Sequence, residues 1–188
     1  LAALVDDRRA DVLRDTAGLA RGDVVDDDGR PVPDAPYRGN RRLYYWRHLD
    51  TEPAVPFEAR IVFQDEHLLV ACKPHFLPVT PSGPYVNECL LYRLRRQTGN
   101  PDLVPVNRLD RETSGLVIVA KNERAGKILG KQVLRREIAK EYVAICWGTV
   151  DQDNGVIDQP IAVNTQGTVY TKRIIHEAGK PSVTEFAV

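Results

Sequence analysis

The stretch Asn107-Arg108-Leu109-Asp110-Arg111-Glu112-Thr113-Ser114-Gly115-Leu116 sets one carboxylate, Asp110, between two arginines just before the apolar run Leu116 to Ala120. That run is short and β-branched, which predicts a buried strand, so the preceding loop should be held at a sheet edge with Asp110 fixed in position. A fixed, partly desolvated carboxylate beside Arg108 and Arg111 can serve as an ionised nucleophile or a base at neutral pH. The same residue types also build ordinary turns, in which Asp and Ser/Thr side chains satisfy backbone amides. Residue type and spacing leave both readings open.

The segment resembles the active-site motif of the RluA-type pseudouridine synthases, His-Arg-Leu-Asp-x-x-Thr-Ser-Gly. Arg108 to Gly115 match every fixed position after the first, where Asn107 stands in place of histidine. Two more stretches match in the family's order and spacing: Asp65-Glu66-His67-Leu68-Leu69-Val70-Ala71-Cys72-Lys73-Pro74 upstream, and Lys140-Glu141-Tyr142-Val143-Ala144-Ile145 with Gly148 downstream. Together they span about residues 57 to 188.

The resemblance implies an isomerase that turns uridine in RNA into pseudouridine, with no cofactor and no metal. The target nucleotide must leave its stack, at a cost of a few kcal/mol that binding contacts offset. Asp110 matches the family's catalytic aspartate, acting by covalent attack or by removing a ribose proton. Arg108 matches the arginine that wedges into the vacated stack, where a planar guanidinium can both stack and pair with phosphate. Tyr142 matches the tyrosine that stacks on the uracil and is a candidate to help remove its ring proton. Thr113, Ser114 and Gly115 read as structural, with hydroxyls capping loop amides and a glycine turning the chain into the strand. Asn107 can replace a loop-orienting histidine by making a similar hydrogen bond, and Lys73-Pro74 is expected to shape the cleft wall.

The family also carries a further basic residue and a Thr-Gly-Arg-Thr-His-Gln-like stretch beyond the segment that Lys180 to Phe186 resembles. This sequence stops at Val188 and holds no methionine. The expectation is therefore a catalytic domain truncated at its C-terminus and inactive at this length. The competing reading is a catalytically inactive RNA-binding module or RNA chaperone of the same fold. A glycosidase-like hydrolase using Asp110 ranks third, because no second carboxylate stands at a suitable position. The partner in the leading reading is structured RNA, ribosomal or transfer.

A chain of 188 residues with 43% hydrophobic content suits one domain of ordinary size plus a small appendage. No apolar stretch approaches the roughly 18 residues needed to cross a bilayer, and no basic region followed by an apolar one opens the chain, so cytoplasm is the default expectation. Cys72, Cys89 and Cys146 are odd in number and widely spaced, and read as buried reduced thiols. His48, His67, His75 and His176 show no metal-ligand spacing. The formal charge is zero, yet residues 91 to 140 hold twelve Lys/Arg against five acids. Taken singly, runs such as Arg93, Arg95 and Arg96 read as a solvated helix face, whereas the regional asymmetry suits a polyanionic partner.

Residues 1–50 read as a small accessory region, a candidate for RNA binding. Gly22 to Gly29 resemble the end of the small RNA-binding domain, named for a ribosomal protein, that precedes many of these synthases, and a β-ribbon fits the same residues. A hairpin is expected between Val24-Val25 and Val32, and a strand at Leu43 to Trp46, with Tyr44, Tyr45 and Trp46 in the core. Residues 51–188 read as the catalytic domain. Arg60 to Gln64 and His67 to Ala71 predict a strand pair around Asp65-Glu66, and Pro74, Pro78, Pro81 and Pro84 a loop. Val86 to Thr98 has helical spacing, with Asn87 as a cap and Gly99 as terminator, and a second helix should run from Asn122 to about Arg136. Strands are expected at Glu141 to Trp147, Gln166 to Ile175 and Ser182 to Val188. The fold class expected is α+β, a mixed, largely antiparallel sheet with flanking helices and a central catalytic cleft.

Overall fold

A computed structural model of the chain describes residues 3–7, 21–26, 28–32, 43–47, 51–164 and 173–188. The chain divides into two units, Leu1–Ala139 and Lys140–Val188.

In the first unit, β1 (Ala3–Asp7), β2 (Val24–Val25) and β3 (Leu43–Arg47) form an antiparallel sheet in the order β1-β3-β2. The expected turn follows β2. The Asp26 carboxylate accepts from the N–H groups of Asp28 and Arg30 at 3.0 and 2.9 Å, and the Val32 N–H donates to Val24 O at 2.8 Å. Tyr44 is half-buried, while the expectation for Tyr45 and Trp46 falls on side chains outside the described residues.

The rest of the unit runs β4 (Arg60–Gln64), β5 (Leu68–Lys73), α1 (Leu90–Thr98), β6 (Val104–Pro105), β7 (Gly115–Ala120) and α2 (Glu123–Leu134). The four strands form one antiparallel sheet, β4-β5-β7-β6. Asp65 makes the turn into β5 by accepting from the N–H groups of His67 and Leu68 at 2.7 and 2.8 Å. Residues alternate along β5 because side chains of a strand point to opposite faces. Leu69, Ala71 and Lys73 are buried while their neighbours are half-buried. Leu69 and Ala71 meet Val117 and Val119 of β7 and Leu90, Leu91 and Leu94 of α1 in a core that also holds Leu77, Val79 and Leu103. Each large aliphatic side chain buried there contributes about 1.5–3 kcal/mol.

Helix α1 begins later than its periodicity predicts, and Asn87 is not its cap. The Glu52 carboxylate accepts from the N–H groups of Val86 and Glu88 at 2.6 Å and of Asn87 at 3.1 Å, so those residues are held by a side chain outside the helix before it starts at Leu90. A capping group so distant in sequence leaves no local signal. At the other end Gly99 terminates α1 as expected, in the left-handed conformation with φ 68° that glycine adopts without strain. Asn122 caps α2 by accepting from the Ala125 N–H at 2.9 Å.

The second unit contains β8 (Asn154–Asp158), β9 (Ile161–Val163), β10 (Arg173–Ile175) and β11 (Val183–Ala187), paired antiparallel as β8 with β11 and β9 with β10. The expected strand over Ser182 to Val188 corresponds to β11. The expected Gln166 to Ile175 strand lies partly outside the described residues and its end is β10. Strands β8 and β9 have no clear signal in the sequence because Gly155 and Pro160 interrupt any alternation. Glu141 to Trp147 is not a strand: it has no ladder partner among the described residues, and its apolar side chains Val143, Ile145 and Trp147 are exposed. A strand exists only through the hydrogen bonds of its neighbour.

Every ladder among the described residues is antiparallel, so the α+β class stands without a parallel pair. No described helix is long and apolar enough to cross a membrane. All three cysteines are free. Cys89 is buried, which pushes its thiol up to about 11, and Cys72 is half-buried, but Cys146 is exposed, contrary to expectation.

Candidate active site

The loop carrying Asp110 joins β6 to β7 and is tied down at four points. At its start, Asn107 Oδ1 accepts from the Ile118 N–H at 2.8 Å and its Nδ2 donates to Leu116 O at 3.4 Å, which lays the loop along β7. That is the orienting hydrogen bond expected of an asparagine at this position. At its end, Gly115 enters β7 with φ 128°, and the nearest side-chain atom to the place a Cβ would take is Leu109 Cδ1 at 3.8 Å. The backbone conformation, more than crowding, calls for glycine there.

The third tie comes from Lys73, whose side chain is fully buried. The register of β5 on β7 sets Lys73 opposite Gly115. Its ammonium donates to Leu77 O at 2.7 Å, Pro74 O at 3.0 Å and Arg111 O at 3.1 Å. Three donors meet three carbonyls, the full capacity of an ammonium group. Burial lowers its pKa to about 8, against the opposing pull of the Glu112 and Asp110 carboxylates. The fourth tie is His75, whose Nδ1 lies 2.8 Å from Glu112 O, the distance of an N–H donating to that carbonyl.

Asp110 itself is exposed, which corrects the expectation of a partly desolvated carboxylate. Its own carbonyl closes the turn by accepting from the Thr113 N–H at 3.1 Å. Among the described residues neither the Thr113 nor the Ser114 hydroxyl caps a loop amide, so the backbone and the neighbouring strand do the holding. The two flanking arginines behave differently. Arg111 donates from Nε and lies in an ion pair through Nη2 to Glu112 Oε1, at 2.9 and 2.7 Å, with its guanidinium 6.0 Å from the Tyr85 ring. Its hydrogen bond holds the Glu112 carboxyl below the usual range. Arg108 is exposed, with no ion pair among the described residues.

Arg108 and Asp110 thus share one braced loop. Tyr142 lies in the second unit, 60% exposed, in a segment without regular structure. Sequence reasoning gives Lys73 only a place in the cleft wall and gives His75 no role, yet both brace the loop. Strand parity puts Lys73 on the face of Leu69 and Ala71, but Leu68, Val70 and Cys72 make the other face equally apolar, so only the packing of β5 shows that Lys73 is buried.

The basic region separates into two sets. Arg93 donates to Val55 O and Phe57 O at 2.7 and 2.5 Å and pairs closely with Glu88, while Arg95 donates to Leu103 O at 3.1 Å and stacks 5.5 Å from the Tyr92 ring. These arginines build the fold and are not a solvated face. Arg124, Lys131 and Arg136 are exposed and have no carboxylate partner among the described residues. No group of three or more His, Cys, Asp or Glu side chains among the described residues is arranged to hold a metal. What the site offers is an accessible carboxylate on a rigid loop, with those exposed cations in the same unit.

Residues 67–188 match the family of RNA pseudouridylate synthases. Among curated proteins, the chain is 40% identical over 129 residues to the dual-specificity RNA pseudouridine synthase RluA of Vibrio vulnificus, covering 68% of this chain and 50% of that one. It is 33% identical over 175 residues to ribosomal large subunit pseudouridine synthase D of Pasteurella multocida, covering 89% and 51%. It is also 29% identical over 155 residues to the mitochondrial tRNA pseudouridine(32) synthase of Saccharomyces cerevisiae, covering 82% and 33%. The chain spans about half the length of the two bacterial relatives. The fold matches the solved structure of human RNA pseudouridylate synthase domain containing 1 with a TM-score of 0.60 at 24% identity, covering 73% of this chain and 55% of that one.

Proposed function

The chain belongs to the RNA pseudouridylate synthase family, and on that footing we propose that it isomerises uridines in structured RNA, ribosomal or transfer, with Asp110 as the catalytic carboxylate. The observation that carries this reading is the bracing of the Asp110 loop by Asn107, Lys73 and His75 while the carboxylate itself stays open to a large substrate. Holding a reacting group in place before the substrate arrives removes entropy from the barrier, so rigidity here serves catalysis as well as folding.

In this reaction the bond from N1 of uracil to C1′ of ribose breaks, the base turns over, and a bond from C5 to C1′ replaces it. Asp110 manages the ribose in its electron-deficient state, by attack on the sugar or by taking a ribose proton. The proton left on C5 must then go to a base while N1 takes one up, and the Tyr142 oxygen is the candidate for that base, with a ring able to stack on the uracil. Arg108, without an ion pair among the described residues, is suited to fill the gap left in the RNA stack and to pair with phosphate. The substrate classes named for the relatives support ribosomal or transfer RNA as the partner.

The test is pseudouridine formation by the full chain on ribosomal and transfer RNA transcripts, with the Asp110→Asn variant alongside. The variant should form no pseudouridine while binding RNA within about tenfold of the parent, since phosphate contacts dominate affinity. Appreciable product from the variant overturns the role of Asp110. RNA binding by the parent without product fits a binding module of the same fold or a catalytic domain inactive at this length.

A further inference from the structure

Phe76 adopts φ 63°, in the left-handed region that a bulky side chain avoids. Strain of this kind persists only where the surroundings over-determine the backbone, and it concentrates at functional sites. Burial of the ring does not explain it, for Phe76 is 52% exposed while the next residue, Leu77, is fully buried.

The turn is over-determined by Lys73. The ammonium takes the carbonyl of Pro74 on one side of Phe76 and that of Leu77 on the other, and prolines at 74 and 78 restrict the flanking backbone. The core thereby clamps the turn and leaves the ring outside. The same ammonium donates to Arg111 O, and the neighbouring His75 bonds Glu112 O, so the turn and the Asp110 loop are tied to each other twice. The ring of His75 stands 6.1 Å from that of Phe76, tilted by 48°. A fixed, exposed aromatic ring on a turn bonded to a loop with two arginines has the chemistry of a base-stacking platform: a π-face for the base and cations for the phosphates.

We propose that Phe76 forms a nucleobase-binding subsite beside the Asp110 loop, which stacks an unpaired base next to the target uridine in an RNA loop. This rests on the function proposed above and adds to it a contact with a base other than the one isomerised. It makes the enzyme selective for uridines whose neighbours are free to unstack, and the strained turn is what presents the ring.

The experiment compares Phe76→Gly, Phe76→Leu and Phe76→Tyr in the full chain, on a stem-loop RNA that the parent converts. Glycine relieves the strain, leucine keeps apolar bulk without a π-face, and tyrosine keeps the ring. We expect KM to rise about tenfold in the glycine and leucine variants and to stay within about twofold of the parent in the tyrosine variant. Thermal midpoints of the glycine variant should equal or exceed the parent's, an outcome that a packing role would not produce. A second readout is 2-aminopurine placed beside the target uridine, whose fluorescence should be quenched on binding by the parent and by Phe76→Tyr but not by Phe76→Leu. Parent-like KM and quenching in the leucine variant overturn the subsite, as does a lowered midpoint in the glycine variant. Either result leaves the proposed function intact, whereas a parent that makes no pseudouridine on any RNA removes the function and the subsite together.

Discussion

The buried ammonium of Lys73 donates to the carbonyl of Arg111 at 3.1 Å, so the residue that ends one core strand holds the residue that follows Asp110. Through this bond the position of the candidate catalytic loop is set by the hydrophobic core, because Lys73 shares its face with Leu69 and Ala71.

Lys73→Met keeps length and apolar bulk but leaves the carbonyls of Pro74, Leu77 and Arg111 without their donor. Removing one partner of buried hydrogen bonds costs about 1–3 kcal/mol, partly offset here because a buried charge is removed as well. Urea denaturation should register that loss. Turnover should fall by more than the lost stability accounts for, at least about tenfold, since a misplacement on the order of 1 Å near the chemistry can cost about a hundredfold. A variant that denatures earlier yet turns over like the parent would show that the loop holds its place without Lys73.

The same residue predicts an alkaline limb. Its pKa in the folded protein is about 8, below the ordinary 10.5, so between those values the unfolded chain binds more protons than the folded one. Its contribution to stability therefore rises with pH across that window, as the folded state sheds a buried charge. Function should move the other way. A neutral amine has two N–H donors for three carbonyls, so kcat should decline as pH rises through about 8. Lys73→Met should lack this inflection in its kcat–pH profile, and the same inflection in that variant would assign it to another group.

Glu52 governs the acid side. Burial raises its carboxyl pKa, but the N–H groups of Glu88, Val86 and Asn87 outweigh that and hold it below the ordinary 4.5. A depressed carboxyl stabilises the fold above its unfolded pKa, and the contribution fades as pH falls through the folded value. Glu52→Gln should cost about 1–2 kcal/mol near neutrality, by analogy with loss of a helix cap. As pH falls below 4.5 the gap in denaturation midpoint between parent and variant should narrow.

RNA affinity should depend steeply on salt, and the structure identifies cations that can carry that dependence. Arg124 and Lys131 lie two turns apart on one side of α2, exposed and without ion pairs among the described residues. Reversing both to Glu should weaken binding and flatten the slope of log affinity against log salt by about 0.7–0.9 for each phosphate that is no longer neutralised. Filter-binding titrations from low to moderate salt measure it, and an unchanged slope would place this face of α2 away from the RNA.

Much of this protein is legible in its sequence, for reasons that are local. The apolar run Leu68 to Cys72 and the β-branched run before Ala120 announce β5 and β7, because a short apolar run bounded by turn residues reads as a buried strand. Asn122 and Gly99 mark a helix start and a helix end through side-chain and backbone geometry that needs no distant partner. Arg108-Leu109-Asp110 announces the candidate site because the motif is contiguous. Other features belong to contacts between residues far apart in the chain. Glu52 holds the segment before α1 from 34 to 36 residues away, and Lys73 reaches Arg111 across 38. Neither pairing leaves a trace in either neighbourhood. Arg93 and Arg95 resemble a solvated face until the backbone carbonyls that satisfy them come within reach, and Phe76 resembles any loop aromatic until the clamped turn sets its φ. Period and motif are properties of neighbours along the chain, whereas bracing, capping at a distance and strain arise only once the sheet brings β5 beside β7.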